Sequence, residues 1–464
     1  MIDQKVLDEL ERIFGKANVL TSKINLEAYS YDSSPFFGAP KAVVFAENAE
    51  QISRFMRFAS KSGIPVIPRG AGTSLSGGCI AQNGEIILAL NRLNRILEIE
   101  PLTETALVEP GVINIALQEA LAPYGFMYVP DPGSFRVSTI GGNVVEGAGG
   151  MRGVKYGVAK DHFLGAEVIL ADGTIVQLGE YGKFYPGIDV TGMFCASEGT
   201  LGILTKIRVK LTRLAEATST MMAAFDKLQD AGSAVSAIIS NSIVPVTLEI
   251  MDKRMVQAVD DFLHLGLPRD AEALLLIELD GCKEEMQPLS QRVMAICQQN
   301  GATSVELAQT EAQRQDLWKA RRSGNGALGR IKPAYMVQDV TVPRHKLPKM
   351  LEFVTDVAKK HDIIITQLAH AGDGNLHPHL LYDPQDPQEY ERVEKAAEEI
   401  FKKAIEVGGT LTGEHGIGLE KKKYMSLAFT ADDMDFMRKI KAALDPELLL
   451  NCDKILDVQR CCHE

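Results

Sequence analysis

Arg69-Gly70-Ala71-Gly72-Thr73-Ser74-Leu75-Ser76-Gly77-Gly78 follows a short apolar run, Ile64 to Ile67. Ahead of it, Lys41 to Ala46 has the make-up of a strand. Glu50 to Ser62 carries Ile52, Phe55, Met56 and Ala59 at helical spacing, with Gly63 at its stop. Strand, helix, strand and glycine-rich loop make a βαβ unit that empties into a turn. There, main-chain N–H groups approach an anion that side chains would otherwise keep away. The loop is not G-x-G-x-x-G, since the glycine after Gly72 is Gly77. It also lacks the Lys and Ser/Thr of a P-loop. Taken alone, a glycine-rich surface turn explains it as well.

Two further clusters weigh against that bland alternative. Pro130-Asp131-Pro132-Gly133-Ser134 leads to Thr139-Ile140-Gly141-Gly142-Asn143, Gly147-Ala148-Gly149-Gly150 and Lys155-Tyr156-Gly157, while Ser197-Glu198-Gly199-Thr200-Leu201-Gly202-Ile203 runs into a strand. Between them lie strand-like stretches at Glu85 to Leu90 and Ala106 to Glu109, a hairpin of Glu167 to Leu170 and Thr174 to Leu178 turning at Asp172-Gly173, and Ile203 to Leu211. Several such loops in one α+β domain suit a long ligand threaded across backbone, and an extended dinucleotide such as FAD fits better than ATP. From Thr218 to about Leu307 the glycine clusters vanish, and strands near Met222, Thr247 and Leu276 alternate with amphipathic helices, as in a smaller α+β cap.

Composition sets the outer bounds. At 464 residues, 45% hydrophobic and 24% charged, the chain expects two or three domains with sizeable interiors. A net charge of −12 argues against nucleic acid or an anionic membrane as main partner. A small anionic substrate would then need local arginines. The seven cysteines are scattered without a C-x-x-C, which is neither a disulfide framework nor an iron–sulfur run, and Cys461-Cys462-His463 reads as a free tail. The polar start, Met1 to Lys5, is no signal peptide, and no apolar run nears the roughly 18 residues of a membrane span. A cytoplasmic enzyme, peripheral at most through a partner, is expected.

The second informative stretch is Gln367-Leu368-Ala369-His370-Ala371-Gly372-Asp373-Gly374-Asn375-Leu376-His377-Pro378-His379. A β-branched strand from Ile363 to Ala369, a Gly-Asp-Gly-Asn turn and a return strand from Leu376 to Tyr382 bring His370 and His377 together, with His379 on the face of His377. Two imidazoles across a tight hairpin suit one cation. Gly413-Glu414-His415-Gly416-Ile417-Gly418 adds a carboxylate beside an imidazole. Two His and one Glu leave a divalent metal (zinc, iron or manganese) a position open to substrate or water. Any single histidine here is more often a hydrogen-bonded structural residue, but four of nine histidines fall in these two glycine-rich motifs. In Trp318-Lys319-Ala320-Arg321-Arg322, the two arginines point about 100° apart on a helix, so one faces inward.

The order P-R-G-A-G-T-S-L-S-G-G, P-D-P-G-S…T-I-G-G-N, Y-G…E-V-I-L-A-D-G and S-E-G-T-L-G-I-L-T, followed by H-A-G-D-G-N-L-H and G-E-H-G-I-G, closely resembles the vanillyl-alcohol-oxidase (PCMH) type flavoproteins over essentially the whole chain. Within them it is similar to the glycolate oxidase D-subunit and D-lactate dehydrogenase family. The resemblance implies an α+β FAD-binding domain over 1–215, an α+β cap over 216–410 and a C-terminal segment, 411–464, packing back on the FAD domain. It implies that Arg69, Gly70, Ala71, Gly72, Thr73, Ser74, Gly77 and Gly78 wrap the pyrophosphate. Ser134, Thr139, Gly142 and Asn143 would line the rest of the cofactor, with Gly199 and Ile203 at its adenosine or flavin end. Pro68, Pro130, Asp131, Gly149, Tyr156, Gly157, Glu198 and Gly202 of the same loops join the cofactor candidates, as does Asn451. Cys452 and Asp453 replace the Pro and Gly of the family's N-P-G-K around that last residue. No His lies in the first loop, and Cys79 just after it suits buried packing, so FAD is expected to be non-covalent.

For the chemistry, the same resemblance implies that His370, His377 and Glu414 bind the metal, His415 is the base beside the flavin, and Arg321 holds the substrate carboxylate. His379 departs from the family's small polar residue, which leaves the substrate open. The implied reaction is oxidation of a small 2-hydroxy acid, D-lactate or glycolate, with reduced flavin passing electrons to an electron-transferring flavoprotein, iron–sulfur subunit, cytochrome or quinone. Two alternatives are an electron-transfer or assembly subunit with a vestigial site, and a metal hydrolase without flavin.

Overall fold

The computed structural model describes residues 2–179 and 187–457, so the Cys461-Cys462-His463 tail lies outside the described residues. The chain divides into two compact units. One comprises Met1–Gly149, Gly157–Leu214 and Glu414–Glu464, the other Gly150–Tyr156 and Ala215–Gly413.

In the first unit Ala42–Phe45, Ile86–Ala89 and Val66–Arg69 pair in parallel, with Val19–Leu20 antiparallel at the edge. Ala42–Phe45 and Ile86–Ala89 are buried throughout, as parallel strands covered on both faces must be. The crossover helix Ala49–Ser62 begins where Asn48 caps the Gln51 N–H and ends at Gly63 in the left-handed region. Its Ile52, Phe55, Met56 and Ala59 share a core with Leu10, Phe14, Val44 and Leu88. The 70–78 loop leaves the carboxyl end of the parallel strand Val66–Arg69, where open α/β sheets present ligands.

An antiparallel sheet follows, in the order Ile96–Glu100, Thr105–Val108, Ile203–Lys210, Phe163–Ile169, Ile175–Gly179. Thr139-Ile140-Gly141-Gly142-Asn143, a glycine loop by sequence, instead opens a helix, Ile140–Glu146. Thr139 caps it through the Gly142 N–H. The side-chain cap and the buried Ile140 and Val144 outweigh two glycines of poor helix propensity. The final segment returns to this unit. Leu450 bridges Val66 in parallel, and the buried Lys441 ammonium donates to the Thr200 and Leu450 carbonyls at 2.6 and 2.7 Å.

The second unit is one eight-stranded sheet, Ala302–Leu307, Ala217–Phe225, Ala273–Gly281, Thr247–Asp252, Ile364–His370, Asn375–Tyr382 and Ala334–Val337, with Val340–Thr341 also on Asn375–Tyr382. The histidine hairpin joins the cap strands because Thr247–Asp252 pairs with Ile364–His370. On one face Met222, Met251, Leu274, Leu368 and Leu381 pack under helices Lys253–Leu263, Glu311–Arg322 and Gly324–Leu328. Strand alternation puts Glu278, Glu249, His370, His377 and His379 on that same face, a polar stripe through an apolar sheet. Among the described residues no helix is long and apolar enough to cross a membrane.

Candidate active site

The hairpin turn is fixed by Gly374 at φ +86°, where a Cβ would stand 2.1 Å from the Val342 carbonyl oxygen. Only glycine fits there. The turn places the buried rings of His370 and His377 edge to face, centroids 5.0 Å apart. His370 Nδ1 lies 2.8 and 2.9 Å from the two carboxylate oxygens of Glu249, a fully buried side chain on the neighbouring strand. With an acceptor on Nδ1, a neutral His370 ring carries its proton there and keeps Nε2 as its lone-pair nitrogen. Arg321 closes the network: its Nε–H donates to Glu249 Oε2 at 2.6 Å, and Nη2 lies 3.4 Å from His370 Nδ1. Arg321 is the inward-facing arginine of its helix, 7% exposed, while Arg322 stacks on the Trp318 ring.

Trp318 fixes that helix in turn. Its indole N–H donates to Glu278 at 2.7 Å, and the same buried carboxylate accepts from Thr220 and Arg314. On the far side of the histidines, Asp339 accepts the Thr412 hydroxyl at 2.5 Å and the Gly413 N–H at 2.9 Å, and its other oxygen lies 3.8 Å from His377 Nδ1. The end of the 410–413 loop is thereby held to the histidine strand, one residue before Glu414 and two before His415. His379 is buried with Nδ1 2.8 Å from the His377 carbonyl and Nε2 2.9 Å from Asn325. A neutral ring in that place donates from Nδ1, which turns the Asn325 amide so that its NH2 meets Nε2.

In the other unit, the glycine-rich loop closes over its own arginine. Gly72 has φ +75°, and a Cβ there would stand 2.1 Å from the Arg69 guanidinium. Arg69 is buried, donates to the Tyr31 carbonyl at 2.7 Å and touches Cys79 Sγ at 3.3 Å. Its charge therefore lies beneath the turn, where it favours an anion above. Gly70 meets Thr139, because a Cβ on Gly70 would be 2.4 Å from Thr139 Oγ1. Asn143 is engaged internally, bonding Asn114 at 2.9 Å and Ser138 at 3.1 Å, and Asn114 also donates to the Pro130 carbonyl. Asn451, held at φ +43°, spans two loops: its Nδ2 donates to the Gly78 carbonyl at 2.8 Å and the Glu198 carbonyl at 2.6 Å. Gly149 sits where a Cβ would be 2.8 Å from a Glu414 oxygen, and Glu414 lies 3.9 Å from His415 Nε2. Gly199 borders Pro68, whereas Ile203 is core. Tyr156 belongs to the cap unit and donates its hydroxyl to Asp280 at 2.7 Å; Gly157 begins the return to the first unit. Burial pushes the Cys79 thiol up to about 12, so it stays protonated.

Sequence reasoning passed over Glu249, Glu278, Asp339 and Asn325. A signal was present for the first two. Glu249 stands between Leu248 and Ile250, and Glu278 between Ile277 and Leu279, charges inside otherwise apolar strands. Such residues stay ionised only when a cation or several donors meet them.

A flavin-binding unit with glycine loops at strand ends, joined to an α+β unit with a histidine hairpin, is the architecture of an FAD-linked oxidoreductase. The FAD binding domain model matches residues 40–179, and the model of the C-terminal domain of FAD linked oxidases matches residues 214–455. The fold is that of p-cresol methylhydroxylase (TM-score 0.80, 18% identity, 97% of this chain and 96% of that one) and of 4-ethylphenol oxidase from Gulosibacter chungangensis (TM-score 0.80, 20% identity, the same coverage). In sequence the chain is 42% identical to glycolate oxidase subunit GlcD of Bacillus subtilis, over 98% of this chain and 97% of that protein. It is 30% identical to D-lactate dehydrogenase of Anaerostipes hadrus, over 98% of each. The chain belongs to the vanillyl-alcohol-oxidase type FAD-linked oxidases, in the branch of the GlcD-type glycolate oxidase and D-lactate dehydrogenase subunits.

Proposed function

We propose that this protein oxidises a small 2-hydroxy acid, D-lactate or glycolate, to the 2-oxo acid with the help of a divalent metal. The observation that carries the proposal is the buried Arg321–Glu249–His370 network, which fixes a guanidinium and an imidazole side by side. A hydroxy acid presents matching groups: an anion for Arg and a hydroxyl for a metal site.

FAD, when bound, supplies the two-electron acceptor. Its cradle would be Arg69 to Gly78 with Ser134, Thr139, Gly142, Gly199 and Asn451, and the positive charge buried under the turn suits a pyrophosphate. Two buried imidazoles, one backed by a carboxylate, have the donor chemistry of a metal site with an orienting partner. His370, His377 and Glu414 would hold a divalent cation, whose charge would make the substrate hydroxyl more acidic. Arg321 would hold the carboxylate through Nη1, because Glu249 takes both Nε and Nη2. His415 would accept the hydroxyl proton as the Cα hydrogen leaves as hydride. Glu249 keeps His370 in one tautomer throughout. Electrons would pass on to a partner protein or quinone, since the chain's cysteines include no cluster-binding run. A cytoplasmic site of action, peripheral through that partner, accords with the composition.

The test is His377→Ala. The variant should bind FAD and remain yellow under anaerobic D-lactate or glycolate, with metal content reduced by elemental analysis. Fast flavin reduction in a metal-free variant would remove the metal from the mechanism.

A further inference from the structure

Two carboxylates in the FAD-binding unit, Glu198 buried and Glu146 half-buried with its Oε2 shielded from solvent, take no part in the chemistry above. Glu198 accepts the Ile417 N–H at 2.6 Å and the Gly418 N–H at 2.8 Å, one on each oxygen. Glu146, at the end of helix Ile140–Glu146, flanks the same backbone. A Cβ on Gly416 would stand 2.5 Å from Glu146 Oε2 and 2.9 Å from Glu198 Oε1. The pair also reaches the glycine-rich loop: a Cβ on Gly78 would be 2.8 Å from Glu146 Oε1 and 3.6 Å from Glu198 Oε2. Around them the main chain is bent to order. Glu198 has φ +49° and Asn451 φ +43°, and Asn451 ties the Glu198 carbonyl to that of Gly78. Leu419 N–H completes the contact by donating to the Ser76 carbonyl at 2.8 Å. Such non-glycine residues in the left-handed region persist where the surroundings over-determine them.

Two carboxylates this close, Glu198 buried and Glu146 turning a shielded Oε2 toward the same backbone, cannot both ionise cheaply. Glu198 meets two N–H donors, and Lys421 and Lys454 contribute positive charge near it. Glu146 Oε2 has no hydrogen-bond partner among the described residues. We infer that Glu146 and Glu198 carry a single negative charge between them, on Glu198, and form the clasp that positions the Glu414–Gly418 loop, and so His415, against the glycine-rich loop. Burial raises the pKa of both acids, Glu146 further because it also faces Glu198. Glu146 is thus a neutral acid filling the space under Gly416 and Gly78, and Glu198 is the charged anchor of the loop backbone. Both are positioning residues. Their importance for turnover rests on the role proposed for His415.

The test uses the FAD-loaded protein with Glu198→Gln, Glu146→Gln and Glu146→Ala. Hydrogen exchange of the segment 414–419 is read without substrate, and anaerobic flavin reduction is read across D-lactate and glycolate concentrations. Glu198→Gln should speed exchange of that segment and lower the limiting reduction rate about 100-fold, as a misplaced catalytic group does, with substrate half-saturation near wild type and FAD retained. Glu146→Ala should loosen the segment, and Glu146→Gln, which copies a neutral acid, should restore it. If Glu198→Gln leaves exchange or rate untouched, or Glu146→Gln loosens the loop as much as Glu198→Gln, the clasp is wrong. A wild type reduced by neither acid would instead overturn the substrate assignment, while the exchange data still decide the clasp.

Discussion

Arg321 Nε–H donates to Glu249 Oε2 at 2.6 Å inside the sheet–helix interior, and the same carboxylate holds His370 Nδ1 at 2.8 Å. One carboxylate therefore serves two cationic or cation-binding groups.

Removing that carboxylate should cost stability and function together. Glu249→Ala leaves Arg321 buried without its counter-charge, a loss of about 3–5 kcal/mol for a broken buried pair. Urea denaturation monitored by flavin fluorescence measures it. Glu249→Gln keeps the shape and should fold, but it should lower metal affinity or activity by about 10- to 100-fold, the usual effect of losing an orienting partner. Unchanged metal content and unchanged flavin reduction in Glu249→Gln would remove the orienting role.

Arg321→Lys tests the carboxylate clamp. A lysine keeps the charge but loses the planar fork, so kcat/KM for D-lactate or glycolate should fall about 10- to 150-fold, the equivalent of one charged hydrogen bond. FAD content should not change. Retention of wild-type kcat/KM would assign Arg321 to structure alone.

Cys79 should be inert. Its thiol is buried and pushed up to about 12, whereas Cys282 is exposed. Iodoacetamide at pH 8 in the native protein should label Cys282 and spare Cys79 by peptide mass spectrometry. Acid precipitation should leave all the yellow colour in the supernatant. Flavin retained in the pellet would mean a covalent link.

Much of the first unit was legible because local signals agreed with tertiary packing. The helix over 50–62 had its stripe and its Gly63 stop, and it forms over Ala49–Ser62 behind an Asn48 cap that was not among those signals. The histidine hairpin was legible for the same reason, with a β-branched strand running into a Gly-Asp-Gly-Asn turn and an apolar strand returning from it. Ile140–Glu146 was not, because glycines at 141 and 142 signal a loop while the cap and the buried Ile140 and Val144 act only in the folded chain. The carboxylates Glu249, Glu278 and Asp339 were obscured differently. Their significance depends on strand register, which pairs Glu249 with His370 across 121 residues. No periodicity encodes such a pairing. Glu146 and Glu198 likewise meet through the Gly416 backbone, which carries no side chain to advertise the contact.

The most direct measurement is the anaerobic absorbance spectrum of the purified FAD-loaded protein before and after D-lactate, glycolate and L-lactate, with metal content determined on the same sample. Bleaching of the flavin by D-lactate or glycolate, with no response to L-lactate, is the expected result. An oxidised flavin unmoved by either D-lactate or glycolate in metal-replete protein would contradict the proposed 2-hydroxy acid oxidation.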